Sequence, residues 1–218
     1  MKVKALPLAC LVAAMLAPSV TVAHQAGDFL FRAGSITVRP NEGSDNVLGL
    51  GSFNVDNDTQ LGLTFGYMIT DNIGVELLGA TPFQHDVGVG KVGTIATVKH
   101  LPPSLMLQYY FGSKESQWRP YLGAGVNYTT FFSEDFNSTG KGAGLSNLSL
   151  DDSWGVALQA GLDYNINKNW MINTSVWWMN IETDVNFTST DAAGNRTRHS
   201  IDTRLDPWAF MFGVGYKF

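Results

Sequence analysis

Few residues in this chain have the types and spacing for catalysis. His85, His100 and His199 fall in long polar connections, and the serines and aspartates near them form no recognisable nucleophile–base arrangement. A His–Ser pair on an outer rim is the one enzymatic layout such connections offer, and the chain is not read as an enzyme. Asp86 beside His85 is a single carboxylate–imidazole pair, too sparse for a metal site, so neither metal nor cofactor is expected. The one cysteine, Cys10, lies in an N-terminal apolar run that reads as removable. Disulfides and thiol catalysis are therefore excluded from the mature chain. The chemistry that remains is of two kinds. One is the burial of a few charges; the other is apolar contact by Met, Trp and Phe.

The elements that position these residues begin after an export leader. Lys2 and Lys4 precede an apolar stretch from Leu6 to Leu16, and Thr21-Val22-Ala23 offers small residues for cleavage. Residues 1–23 thus read as a signal peptide and 24–218 as one domain. Setting aside Lys2 and Lys4, 12 basic residues face 19 acidic ones, a net charge of −7. That argues against a nucleic-acid partner. Charged residues are only 15 % of the chain, glycine is abundant, and no later apolar run reaches the length of a membrane helix.

Apolar residues instead recur with period two in segments of about ten, the signature of a transmembrane barrel. The last segment is the clearest. Trp208, Phe210, Phe212, Val214, Tyr216 and Phe218 share one face, opposite Ala209, Met211, Gly213, Gly215 and Lys217. Similar segments begin near Phe29, Gln60, Ile73, Ser104, Tyr121, Gly155 and Trp170, giving eight. Short polar connections (68–72, 112–118, 165–169) alternate with long ones (39–58, 82–101, 131–152, 187–204). This predicts an all-β, eight-stranded antiparallel barrel with short periplasmic turns, long external loops and an aromatic girdle. A soluble barrel would point its apolar face inward. Here the other face carries about one strong polar group per strand, too few to coat a soluble exterior. The aromatic final strand ending in Phe218 also suits reading by the barrel-insertion machinery.

Eight strands enclose a lumen barely wider than its own side chains. Arg32, Glu76, Gln108 and Asp163 point into it and are predicted to pair as a polar plug near the periplasmic end. In the third long connection, Leu145, Leu148 and Leu150 suggest a short helical turn, with Gly140, Gly142 and Gly144 a mobile approach to it.

Several runs closely resemble the OmpW family of small outer-membrane proteins. They are His24-Gln25-Ala26-Gly27-Asp28-Phe29, His100-Leu101-Pro102-Pro103, Gln108-Tyr109-Tyr110-Phe111-Gly112, Arg119-Pro120-Tyr121-Leu122-Gly123-Ala124-Gly125, Asn127-Tyr128-Thr129-Thr130-Phe131-Phe132 and Asp206-Pro207-Trp208. The resemblance covers essentially the whole mature chain. It implies residence in the outer membrane of a Gram-negative bacterium, among lipid and lipopolysaccharide. It also implies an apolar channel for passive uptake of small hydrophobic molecules, with sideways release into the bilayer. For some relatives it implies colicin or phage contacts.

On that basis Met106, Trp177 and Met179, with Leu48, Leu50 and Phe53 of the first long connection and Phe83 of the second, are expected to line an apolar pocket above the plug. Trp154 resembles the family's gate tryptophan, with Leu50 as its expected partner. Prolines cannot donate to a strand ladder. Pro40 and Pro207 fall at the outer ends of neighbouring strands, as do Pro82 with Pro102 and Pro103, so each group marks a candidate lateral seam. The rival readings are a structural or receptor barrel without a ligand, and a narrow ion-conducting pore.

Overall fold

The computed structural model describes residues 24–90 and 92–218; the leader read over 1–23 lies outside them. The first strands are β1 (Phe29–Arg39), β2 (Gly43–Ser44), β3 (Phe53–Val55), β4 (Asp58–Met68) and β5 (Ile73–Ala80). Next come β6 (Phe83–Val89), β7 (Gly93–Leu101), β8 (Ser104–Tyr110) and β9 (Trp118–Phe136). A short helix, α1 (Ser138–Gly142), is followed by β10 (Leu145–Leu150), β11 (Ser153–Asn165) and β12 (Trp170–Met179). The last three are β13 (Glu182–Thr190), β14 (Arg196–Arg204) and β15 (Trp208–Lys217).

β1, β4, β5, β8, β9, β11, β12 and β15 close into an antiparallel ring, sealed where β15 meets β1 and β9 meets β11. These are the eight expected segments, and their faces follow the alternation. Leu61, Phe65, Leu107, Leu122, Val156, Phe212 and Val214 stand exposed on the outside. Rings pair at the short-turn end: Phe29 with Tyr67, Trp118 with Tyr164 and Trp170 with Tyr216, at centroid separations of 4.9, 4.5 and 4.9 Å. That is the girdle expected at a membrane interface.

The long connections are not irregular loops. They fold as sheets standing above the barrel. β3, β6 and β7 continue one wall through β9, while β10, β13, β14 and β2 make a separate four-stranded sheet. Their polarity is the reverse of the barrel's. Phe83, His85 and Val89 of β6, and Val185 and Phe187 of β13, are buried inside. Gln84, Asp86, Glu182 and Asp184 are exposed outside. Water, not lipid, bathes this part, so the apolar face turns inward.

The third connection corrects two expectations. Leu145–Leu150 is strand β10, broken by a register shift between Ser146 and Ser149 with Asn147 at φ 54°. The helical turn precedes it. Gly140 is no mobile approach: it is buried, and a Cβ there would lie 2.5 Å from the Ile95 carbonyl oxygen. The fold thus needs glycine where α1 packs on β7.

A charge on the lipid face tests the orientation of the barrel. Phe212→Arg is expected to lower unfolding stability by about 2–4 kcal/mol in lipid vesicles, as for a cation near the bilayer midplane. Asp184→Arg, on the wetted sheet, is expected to change it by less than about 0.5 kcal/mol.

Candidate channel and its polar floor

The predicted plug residues meet in the lower lumen. Arg32 comes from β1, Glu76 from β5, Gln108 from β8 and Asp163 from β11, and all four are buried. Arg32 Nη1 pairs with the Glu76 carboxylate. Arg32 Nε donates to Asp163 Oδ1 at 3.1 Å, and Nη2 donates to Asp163 Oδ2 at 2.6 Å and to the Tyr110 hydroxyl at 2.9 Å. Gln108 Nε2 donates to Glu76 Oε1 and to Gln159 Oε1, both at 2.8 Å. Small residues make the room: a Cβ on Gly161 would lie 2.2 Å from the Tyr121 ring.

Other members of this network were not singled out from the sequence. Tyr110, Tyr121 and Asn173 sit at inward positions of the same alternation and complete it. Asn173 Nδ2 donates to Asp163 Oδ1 at 2.7 Å and to the Tyr121 hydroxyl at 3.0 Å. Arg119 closes the periplasmic mouth by donating to the Ser113 and Asp71 carbonyls at 2.8 and 2.6 Å. His24 precedes the first strand, so no periodicity could place it. It is fully buried, and its Nε2 donates to Asp163 Oδ2 at 2.8 Å.

Above the floor lies an apolar layer. Met106, Trp177, Met179 and Phe83 belong to one buried cluster with Ile36, Leu78 and Met211. The sequence grouped these four, and the fold brings them together. Trp177 lies fully inside, with its indole N–H donating to Ser175 Oγ at 3.1 Å. Higher still, between the two extramembrane sheets, is a cavity of about 60 Å³. It is walled by Phe53, Val98, Phe131, Phe136, Val185 and Phe187, with His85 and His100 among them.

Two expected gate residues lie elsewhere. Trp154 is 73 % exposed on the outer surface, its ring tilted against that of Tyr128 with centroids 4.8 Å apart. The cause is strand parity, which puts it on the same face as Val156 and Leu158. It belongs to the outer interface rather than the channel. Leu50 is 52 % exposed at the tip of a turn carried by Leu48, Gly49 and Gly51 at positive φ. That turn directs Val47 and Phe53 inward and leaves Leu48 and Leu50 outside.

The two candidate seams differ. β1 and β15 pair without a break from Leu30–Lys217 to Arg39–Trp208. Just past Pro40 and Pro207, Asn41 N–H donates to the Leu205 carbonyl at 2.8 Å. That seam is closed, because both prolines fall beyond the ladder's last pair. β5 and β8 share only six pairs, Ile73–Tyr109 to Leu78–Ser104. Beyond them, Gly79 and Ala80 face Pro103 and Pro102 with no ladder, although Gly79 and Ala80 still pair with β4. Pro82 lies between β5 and β6, outside either ladder. On the inner side of this gap are Leu78, Phe83 and Met106, with Ala80 packed against them.

The OmpW family model matches residues 25–218. The chain belongs to the OmpW family. It is 57 % identical to outer membrane protein W of Escherichia coli strain K12, over 99 % of this chain and all of that one. The crystal structure of OprG from Pseudomonas aeruginosa superposes with a TM-score of 0.83 at 45 % identity, covering 91 % of this chain and 99 % of that one. The AlkL structure in lipid bilayers gives a TM-score of 0.63 at 28 % identity, covering 93 % and 95 %. This OmpW-family chain is thus an outer-membrane protein of a Gram-negative bacterium, set among lipid and lipopolysaccharide.

One Ser–His pair does form on the outer rim: Ser189 Oγ lies 2.8 Å from His199 Nε2. Among the described residues no carboxylate hydrogen-bonds the other ring nitrogen, so the orienting third group of a triad is missing.

Removing the cation from the floor leaves two buried carboxylates unpaired. Arg32→Ala is expected to cost about 3–5 kcal/mol of unfolding stability, and Gln108→Ala only about 1–3 kcal/mol; both follow from urea titration. Acid acts on the extramembrane cup. Burial holds His100 neutral, pushing its pKa from 6.5 down to about 3. The unfolded chain takes up this proton below about 6.5 and the folded chain does not. Stability is therefore full above 6.5 and declines as pH falls toward 3. His100→Phe is expected to flatten the decline between pH 7 and 4.

Proposed function

We propose that this protein is a passive conduit carrying small apolar molecules from outside the cell into the outer membrane. The observation that carries this is the sequence of layers along the axis. An apolar cavity lies over the cluster of Trp177, Met179, Met106 and Phe83, and that cluster rests on a charged floor. Apolar surfaces with few polar groups suit small hydrophobic ligands, and methionine adapts to varied shapes. An apolar solute gains nothing by entering the Arg32 network, because it would displace charge-assisted hydrogen bonds and replace none of them. Its way out is sideways.

The exit lies between β5 and β8. Pro102 and Pro103 have no N–H to offer Gly79 and Ala80, so parting the strands there breaks few hydrogen bonds. Lipid lies directly beyond, and no energy source is required to move an apolar solute into it. A narrow ion-conducting pore fits less well, because Arg32, Tyr110, Tyr121, Gln108 and Gln159 fill the cross-section.

Disulfide cross-links test the route. The mature chain read from the sequence has no cysteine of its own. Ala80→Cys with Pro102→Cys should, when oxidised, cut delivery of an apolar tracer into vesicle bilayers at least fivefold, with recovery on reduction. Ser35→Cys with Phe212→Cys, a cross-strand pair of β1 and β15, should leave delivery unchanged in both redox states. Undiminished delivery through the oxidised β5–β8 link would overturn the lateral route.

A further inference from the structure

Besides Thr183 and Thr203, whose hydroxyls donate to backbone carbonyls, the wall of the upper cavity contains two histidines that apolar packing does not require. Phe83, Val87 and Val89 occupy the other inward positions of β6. His85 sits in the same row, where a valine or leucine would avoid the cost of burying an imidazole. It stacks on His100 with centroids 5.0 Å apart and planes inclined by 18°. His100 in turn stacks on Phe83 at 5.3 Å. Both histidines line the cavity.

The hydrogen bonding of His85 fixes which nitrogen is free. Its Nδ1 lies 2.7 Å from the backbone carbonyl oxygen of Asp56. A carbonyl oxygen can only accept, so Nδ1 carries a proton, and in the neutral ring Nε2 keeps a bare lone pair. That Nε2 is buried and, among the described residues, has no hydrogen-bond partner. Buried polar atoms in native proteins are almost always satisfied, and this one belongs to a residue on the cavity wall.

We propose that the upper cavity selects neutral aliphatic alcohols over bare hydrocarbons, the ligand hydroxyl donating to Nε2 of His85. This rests on the conduit function proposed above and names the ligand class it favours. A carboxylate is disfavoured, because it would bring its own lone pairs to Nε2 beside Asp56 and Asp58. The Asp56 Oδ1 lies 3.8 Å from the His85 ring. An ammonium group would have to shed its water into a lining that is mostly aliphatic and aromatic, where the Thr183 and Thr203 hydroxyls are already engaged with backbone carbonyls. Size narrows the class. The cavity of about 60 Å³ is well below the roughly 150 Å³ that admits benzene. It therefore takes a hydroxyl and the first carbons of a slender chain end-on. The rest of the chain lies along Val98, Phe131 and the Met179 cluster beneath.

The test compares 1-octanol with octane, using the full mature chain in lipid nanodiscs. Histidine ¹⁵N resonances report the imidazole directly. The His85 Nε2 resonance should move on titration with 1-octanol and stay still with octane. His85→Phe, which keeps a ring in the stack, should weaken 1-octanol about five- to tenfold, as expected for one lost hydrogen bond. Octane should remain within twofold. Should His85→Phe not fold, the wild-type resonance still decides. If both solutes bind and neither moves Nε2, or His85→Phe weakens both equally, the alcohol preference is wrong and the conduit stands. If neither solute binds the wild-type chain, the conduit and this inference fall together.

Discussion

The cross-section of an eight-stranded barrel holds little beyond its own side chains, so whatever fills it decides where anything else can go. Here Arg32 fills it. Its guanidinium reaches Glu76, Asp163 and the Tyr110 hydroxyl from one central position. Gln108, Gln159 and Asn173 then satisfy the remaining lone pairs. Ions buried this deep stabilise a protein only when every neighbour is in place. The glycines opposite Tyr121 and Gln159 are part of the same constraint, since any Cβ there would displace the network. With the lower lumen occupied, the upper part is left to apolar side chains.

Above that floor the chain reverses its sidedness without giving up its period of two. β9 is long enough to show both regimes. In its lower half Leu122, Ala124 and Val126 face lipid, while Arg119 and Tyr121 turn inward. In its upper half the apolar rings Phe131 and Phe136 turn inward instead. These two are five residues apart, an odd interval that a regular strand cannot place on one face. Ser133 at φ 53° and the register shift between Thr97 and Lys99 on β7 supply the extra step. A bulge thus lets one continuous strand serve two solvents.

The barrel strands and the charged floor were legible because both rest on alternation alone. The lipid-facing rows announce themselves, and the four plug residues occupy opposite positions in them. The errors have physical causes. Trp154 is two residues before Val156, so the same alternation already puts it outside, against the gate position that the resemblance implies. Leu50 was undecidable without the positive-φ turn that aims it at solvent. The upper sheets were hidden because their rows, such as Phe83, His85 and Val87, are short and inverted relative to the membrane strands. Pro40 and Pro207 end neighbouring strands, and only the register reveals that their ladder is complete without them. His24 carried no pattern at all.

The floor also has a temporal meaning. His24 and Asp163 are 139 residues apart in the chain, Arg32 and Asp163 are 131 apart, and Arg32 and Glu76 are 44 apart. The N–H of the last residue, Phe218, donates to the carbonyl of Phe29. Arg32 and Glu76 lie within the consecutive barrel strands β1, β4 and β5 and can meet early. The Asp163 contacts and the Phe218–Phe29 bond wait until the two ends of the sequence meet, and contacts so distant form late. A half-threaded chain would hold Arg32 with Glu76 but without Asp163, and an open strand edge on each side. The same guanidinium that blocks the finished lumen therefore marks completion, since its second carboxylate, Asp163, arrives only when β11 comes round to face β1 across the closed ring.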